Sequence, residues 1–304
     1  MPITESALYR SCMLCPRHCH AARLAGAQGL CGADGRLMVA RAALHQWEEP
    51  PISGTGGSGT VFFSNCALRC VYCQNREIAE GQAGKDIAPA RLVEIFGELQ
   101  DKGAHNINLV TGTQYAPDIV KAVRAARAQG LTIPIVWNTS GYEDAVCLDM
   151  LDGIVDIYLT DFKYFDGEVA RAYSSRAFEY PAVAKKALAQ MVAQTGPTTL
   201  DDEGLMTKGT IVRHLMLPGH LEDSKAIVRY LYETYGDDIC VSLMNQYTPM
   251  GSFPDHPELE RRITEDEYDE LVDFAVDLGV VNSFMQEEGT AEESFIPPFD
   301  LEGV

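Results

Sequence analysis

The sequence predicts an α/β fold, an open or partial (β/α)6 barrel of parallel strands with a small N-terminal metal-binding module in front. Three observations lead there. Six short β-rich runs alternate with helical runs beyond residue 59. Those strand runs are apolar nearly throughout, as in strands covered by helices on both faces of a parallel sheet. Seven of the nine cysteines, at 12, 15, 19, 31, 66, 70 and 73, fall in the first quarter of the chain, a crowding that marks a metal-rich front end.

Taken in order, residues 1–50 show little regular periodicity and read as a compact module held by Cys12, Cys15, Cys19 and Cys31, with one short helix around 17–24. The run EEPP at 48–51 breaks any regular element. The glycines at 54, 56, 57 and 59 precede a strand without a following Gly-Lys-Ser/Thr, so they read as a hinge or tight packing turn and not as a phosphate or dinucleotide loop. Strands are expected at 60–64, 106–111, 132–137, 154–160, 210–217 and 239–243, and helices at 89–102, 116–129, 181–194 and 221–235. A last amphipathic helix is expected at 263–278. The ending 287–304 mixes charge with Phe295, Ile296, Pro297, Pro298 and Phe299 and is expected to dock on the barrel. The expected division is therefore a metal-binding module and connection at 1–52, the barrel at 53–286 and a docking segment at 287–304.

Size and charge bound the function. A chain of 304 residues, 46% hydrophobic, can bury one large core. Asp and Glu outnumber Lys and Arg by 44 to 24, and a formal charge of -20 repels phosphate backbones and anionic lipid, which argues against general nucleic-acid or membrane binding. No apolar run approaches the roughly 20 residues that span a bilayer, and no apolar signal segment follows residues 1–9, so a cytoplasmic address is expected. Cys147 and Cys240 stand alone in apolar surroundings and read as core residues.

Chemistry in such a barrel belongs at the C-terminal ends of the strands. Cys66, Thr111 to Gln114, Asn138 to Ser140, Asp161 to Lys163 and Asn245 to Tyr247 all follow expected strand ends. The sharpest signal is the loop of Cys66, Cys70 and Cys73. Three thiolates on one loop can hold three irons of a four-iron cubane and leave the fourth iron open for a substrate or cofactor. Competing readings are a zinc site completed by a distant ligand, or a redox pair of Cys70 and Cys73 that leaves Cys66 idle; Gln74 excludes the usual c-type haem attachment.

The three-then-two cysteine spacing, with Tyr72 before the last cysteine, resembles the radical S-adenosylmethionine superfamily. The closer resemblance is to its pyruvate formate-lyase activating-enzyme-like branch, in a subgroup with cysteines at the N-terminus. It is carried by SCMLCPRHC at 11–19, HQWEEPPISG at 45–54, GSGTVFFSNC at 57–66, CQN at 73–75 and SFIPPFD at 294–300. The resemblance implies a 4Fe-4S cluster on Cys66, Cys70 and Cys73, whose open iron is chelated by S-adenosylmethionine, and cleavage of that cofactor to a 5'-deoxyadenosyl radical that abstracts hydrogen. It further implies cofactor contacts from Tyr72, Thr111, Gly112, Thr113, Asn138, Ser140, Asp161, Lys163 and Arg213, with His214 and Tyr247 as weaker candidates. The usual Gly-Gly-Glu segment is represented here by TGTQ at 111–114, which lacks the second glycine and the glutamate. Each has a bland counterpart: an ion pair for Asp161 and Lys163, a helix cap for Asn138 to Ser140, a structural role for Arg213, a satisfied core histidine for His214.

Cys12, Cys15, Cys19 and Cys31 supply four thiols to a second metal site, either zinc or iron-sulfur, while His18 and His20 read as exposed. The resulting expectation is an enzyme needing a one-electron reductant. Its target is a backbone glycine of a partner enzyme, or alternatively a peptide or small molecule. A non-catalytic metal-binding scaffold is the remaining alternative, and it requires the three loop cysteines to point apart or to lack a cavity beside them.

Overall fold

The computed structural model describes residues 5–285 and 297–304. Among these residues the strands are β1 Leu37–His45, β2 Ser58–Phe63, β3 Lys85–Ile87, β4 Ile107–Val110, β5 Ile135–Thr139, β6 Ile157–Asp161, β7 Thr199–Leu200, β8 Met206–Leu215, β9 Cys240–Met244 and β10 Ser283–Met285. They form one sheet in the order β10-β9-β8-β6-β5-β4-β2-β1-β3, with β7 pairing off that path to β8. From β2 to β10 every neighbouring pair on the path is parallel. Each successive parallel strand is added at the same edge, the connectivity of an open, partial barrel.

Apolar content explains the central strands: β2, β4 and β5 are buried at every position. The helices between them present one apolar stripe each. In Pro89–Asp101, Leu92, Ile95, Phe96 and Leu99 recur at the i, i+3, i+4, i+7 spacing and are buried, and proline at the first helical turn starts the helix where no N–H partner is needed. Helix Glu265–Leu278 opens on a capping box between Thr264 and Glu267. Trp137 of β5 is fully buried in the larger core cluster between sheet and helices.

The expected helices lie within two residues of their observed bounds, and the six expected parallel strands are all present. The first fifty residues differ from expectation. Residues 17–24 carry only the short 3-10 turn Arg23–Ala25, a helix covers Glu5–Arg10, and β1 is a nine-residue strand inserted between β2 and β3. Its composition, LMVARAALH, is rich in alanine and so carries a weak β signal. The EEPP run also differs: Pro50–Ser53 is a single helical turn, with Pro50 at its start. Of the last segment, residues 286–296 lie outside the described residues, including Phe295 and Ile296. Residues 297–304 sit along β1: the Ala42 N–H donates to the Glu302 carbonyl at 2.8 Å, Arg41 pairs with Asp300 at 2.6 Å, and Phe299 meets Phe62 edge-on at 5.5 Å.

Candidate active site

At the C-terminal end of β2 the chain turns through Asn65, which takes φ +75°, and enters the three-cysteine loop. Cys66, Cys70 and Cys73 line one cavity of about 140 Å3 together with Thr111, Asn138, Ser140, Asp161, Lys163 and Arg213. The cysteines therefore face one space, and the ends of β4, β5, β6 and β8 wall it. Burial pushes the thiols of Cys66 and Cys73 up, the latter to about 12, so a metal has to displace protons on binding. Cys70 Sγ lies 2.9 Å from Ser174 Oγ, which also meets Tyr164 Oη at 2.8 Å; Tyr164 Oη in turn meets Tyr72 Oη at 2.7 Å. Tyr72 is buried in an aromatic cluster with Tyr173 and Tyr247.

The charged floor of the cavity is a chain of half-buried ions. Lys163 Nζ contacts Asp161 Oδ2 at 2.7 Å, and Arg213 Nε contacts Asp161 Oδ1 at 3.0 Å. Arg213 continues to Glu48 Oε2 at 3.2 Å and to Asn138 Oδ1 at 2.8 Å. Burial alone would raise the Asp161 carboxyl, but the two cations outweigh it and hold the group below the usual carboxylate range. Tyr180 fixes the two strand ends against each other: its hydroxyl accepts from the Lys163 N–H at 2.9 Å and donates to the Ser140 carbonyl at 2.8 Å. Gly141, with φ +75°, allows this approach, because a Cβ there would stand 2.4 Å from the Asp161 carbonyl oxygen.

Thr113 and Gly112 adjoin Thr111 but do not themselves line the cavity. Thr113 turns away within the 3-10 turn Thr113–Tyr115, where its hydroxyl donates to Glu143 Oε1 at 2.7 Å and its side chain lines the space beside the N-terminal cysteines. Gly112 packs inward: a Cβ there would meet Ile119 Cδ1 at 2.8 Å and the Trp137 ring at 2.9 Å. Thr111, at φ +59°, is the member of this segment that lines the cavity. His214 is a satisfied core histidine, bonded to the Phe162 carbonyl and Ser224 Oγ at 2.8 Å each, and burial depresses it to about 4. Tyr247 is buried and donates to the Leu259 carbonyl at 2.6 Å. Cys147 and Cys240 are buried in the core. Glu48 escaped the sequence reading; its signal was the charged EEPP run, read as a linker. A second recess, lined by His45, Glu48, Gln74 and Gln246, adjoins the cavity and shares Asn75, Asn138 and Arg213 with it.

Cys12, Cys15, Cys19 and Cys31 line a further space, with Arg17, Ala67, Thr113 and Gln114. Among the described residues, no group of three or more His, Cys, Asp or Glu side chains is gathered as a single metal ion requires. No helix among them is long and apolar enough to cross a membrane.

An open parallel sheet with three cysteines at the end of its first parallel strand defines an iron-sulfur enzyme of the radical type. Residues 60–231 match the model of the Radical SAM superfamily, and the chain belongs to it. Membership implies a 4Fe-4S cluster and S-adenosylmethionine, and the donor set fits both: three thiols for irons, with a carboxylate and two cations for a zwitterionic cofactor. The chain is 26% identical over 275 residues to an uncharacterized protein of Methanocaldococcus jannaschii, covering 88% of this chain and 75% of that one. Its fold is similar to that of a radical SAM methyltransferase from Sphaerobacter thermophilus (TM-score 0.50, 13% identity, 75% of this chain and 66% of that one). It is also similar to Streptococcus suis SuiB bound to S-adenosylmethionine (TM-score 0.48, 13% identity), covering 73% of this chain and 48% of that one. The chain thus spans about half the length of SuiB.

Proposed function

We propose that this protein reductively cleaves S-adenosylmethionine on a cluster held by Cys66, Cys70 and Cys73 and abstracts hydrogen from a polar substrate, a peptide or small molecule. The observation that carries this reading is the convergence of the three thiols with Asp161, Lys163 and Arg213 on one cavity. When bound, the cluster and cofactor supply a 5'-deoxyadenosyl radical. In this reading Lys163 and Arg213 receive the cofactor's carboxylate, and Asp161 faces its ammonium group. Thr111 and Ser140 offer backbone and hydroxyl contacts, while Asn138 positions Arg213. Tyr72, anchored by Tyr164, fixes the loop near the adenine.

The substrate assignment rests on the adjoining recess. Its carboxamides Gln74, Asn75 and Gln246 offer the donors and acceptors that amide-bearing substrates need, and Asn75, Asn138 and Arg213 join it to the cavity. A backbone glycine of a partner enzyme is one such amide-bearing target and is the second reading; the adjacent Asp161 and Lys163, in the order found in activating enzymes, favour it. Residues 1–52, 53–286 and 287–304 then act as metal-binding module, barrel and docking segment.

Electron paramagnetic resonance of the reduced, reconstituted protein tests the cofactor part. Added S-adenosylmethionine is expected to shift the cluster signal in the wild type, and in Asp161→Asn only at cofactor concentrations at least about tenfold higher. A wild-type spectrum unmoved by saturating cofactor would contradict the reading.

A further inference from the structure

We infer that Gln114 is a positioning residue for S-adenosylmethionine: from outside the cavity, its carboxamide ties the start of the Cys66 loop to Thr111 and fixes the separation of the two. This deepens the proposed function and rests on it.

The clamp fills a gap that the sheet leaves. Strands β2 and β4 pair in parallel as far as Phe62 and Val110, where their ladder ends. Beyond it the carbonyls of Ser64, Asn65 and Thr111 converge on one nitrogen. Gln114 Nε2 stands 3.0 Å from the Ser64 carbonyl, 3.0 Å from that of Asn65 and 2.7 Å from that of Thr111. Three acceptors around one end of a carboxamide identify that end as the nitrogen, whose two hydrogens they share. Gln114 is buried, so water does not stand in for it.

The backbone it holds is strained. Asn65 takes φ +75° and Thr111 φ +59°. This left-handed region is unfavourable for a residue with a side chain, and most of all for a β-branched threonine. Such conformations persist where neighbouring contacts over-determine them. Cys66 follows Asn65 directly, and both Cys66 and Thr111 line the active-site cavity. The clamp therefore joins one cluster ligand to one wall of the cofactor's place, and a displacement of either spoils the fit.

Gln114 is itself braced. The Tyr115 hydroxyl accepts from Asn65 Nδ2 at 3.0 Å, so consecutive residues grip Asn65 by its backbone and by its side chain. From the N-terminal segment, Arg23 Nη1 donates to the Gln114 carbonyl at 2.5 Å, and its guanidinium lies over the rings of Tyr9 at 4.5 Å and Tyr115 at 5.7 Å. Residues ahead of β1 thus bear on the cavity through this side chain.

The test uses the full chain, reconstituted anaerobically with iron and sulfide, as wild type, Gln114→Met, Gln114→Glu, Thr111→Gly and Thr111→Gly/Gln114→Met. Methionine keeps the length and brings no donor, whereas glutamate keeps the shape and brings at most one hydrogen for three acceptors. Affinity for S-adenosylmethionine is read from electron paramagnetic resonance of the reduced cluster. Binding is expected to weaken at least about tenfold in Gln114→Met and about threefold or more in Gln114→Glu, with iron content unchanged. Glycine adopts a positive φ without help, so in the Thr111→Gly background the methionine substitution is expected to weaken binding less than about threefold. A second readout needs no cofactor. The amides of Asn65 and Thr111 donate to the Ile78 carbonyl at 2.7 Å and the Asn138 carbonyl at 2.9 Å. Their deuterium exchange is expected to speed up at least about tenfold in Gln114→Met. Equal affinities in wild type and both Gln114 variants, unchanged exchange, or the same loss in both Thr111 backgrounds would each overturn the inference. Should Gln114→Met not fold, Gln114→Glu decides on the same two readouts. A wild type that binds the cofactor beside variants that bind it equally overturns this inference and leaves the proposed function standing; a wild type that does not bind it overturns both.

Discussion

The thiol of Cys70 lies 2.9 Å from the hydroxyl of Ser174, a residue 104 positions further along the chain. Hydrogen bonds to ligand sulfurs stabilise the more negative, reduced cluster and so raise its potential. Removing this one in Ser174→Ala is expected to lower the potential of the Cys66 cluster. A net hydrogen bond of about 1 kcal/mol corresponds to a shift on the order of 40 mV for a one-electron couple. A redox titration followed by electron paramagnetic resonance measures it, and an unchanged or raised potential would show that the hydroxyl does not act on the sulfur.

Asp161→Asn leaves Lys163 and Arg213 without their shared carboxylate. The expected cost is about 3 kcal/mol of stability, as for a broken buried ion pair, and at least about tenfold weaker binding of S-adenosylmethionine. Because the folded-state carboxyl titrates below its unfolded value, the stabilisation is complete above about pH 4 and is lost as pH falls through the lowered value. Denaturant titrations on the acid side should therefore show wild type losing an advantage that the variant never had.

His214 gives a second handle on pH, at a side chain bonded to the Phe162 carbonyl and Ser224. The folded histidine is depressed to about 4, while the unfolded one takes up a proton near 6.5. Its contribution is intact above about pH 6.5 and is lost as pH falls toward 4, by about 3 kcal/mol. His214→Gln should lower stability at neutral pH and flatten that slope. A slope identical to wild type would mean that the imidazole is solvated.

Gly112→Ala places a methyl group against Ile119 and Trp137. Overpacking there is expected to cost about 1–3 kcal/mol, read as a lower thermal midpoint, and to displace Thr111 from the cavity. An unchanged midpoint would show that the β4 end has room to spare.

The parallel strands were legible because they are buried on both faces and hence apolar throughout, and Cys66, Asp161 and Arg213 were legible because they interrupt or follow such runs. β1 was not, since an alanine-rich strand covered by the chain's last residues has little pattern of its own. Glu48 was hidden for a different reason: its partner Arg213 is 165 residues away, and nothing local distinguishes a buried carboxylate from one in a linker. In the segment after β4, Thr113 sits in a 3-10 turn with its hydroxyl on Glu143, and Gly112 packs closely against Ile119 and Trp137, so Thr111 is the residue of the three that lines the cavity.

The most direct measurement of the central claim is chromatography for 5'-deoxyadenosine after anaerobic reconstitution, reduction and incubation with S-adenosylmethionine, in wild type and Cys70→Ala. The account predicts product from the wild type and none above background from the variant. Equal amounts from both, or none from a wild type whose reduced cluster demonstrably binds the cofactor, would contradict it.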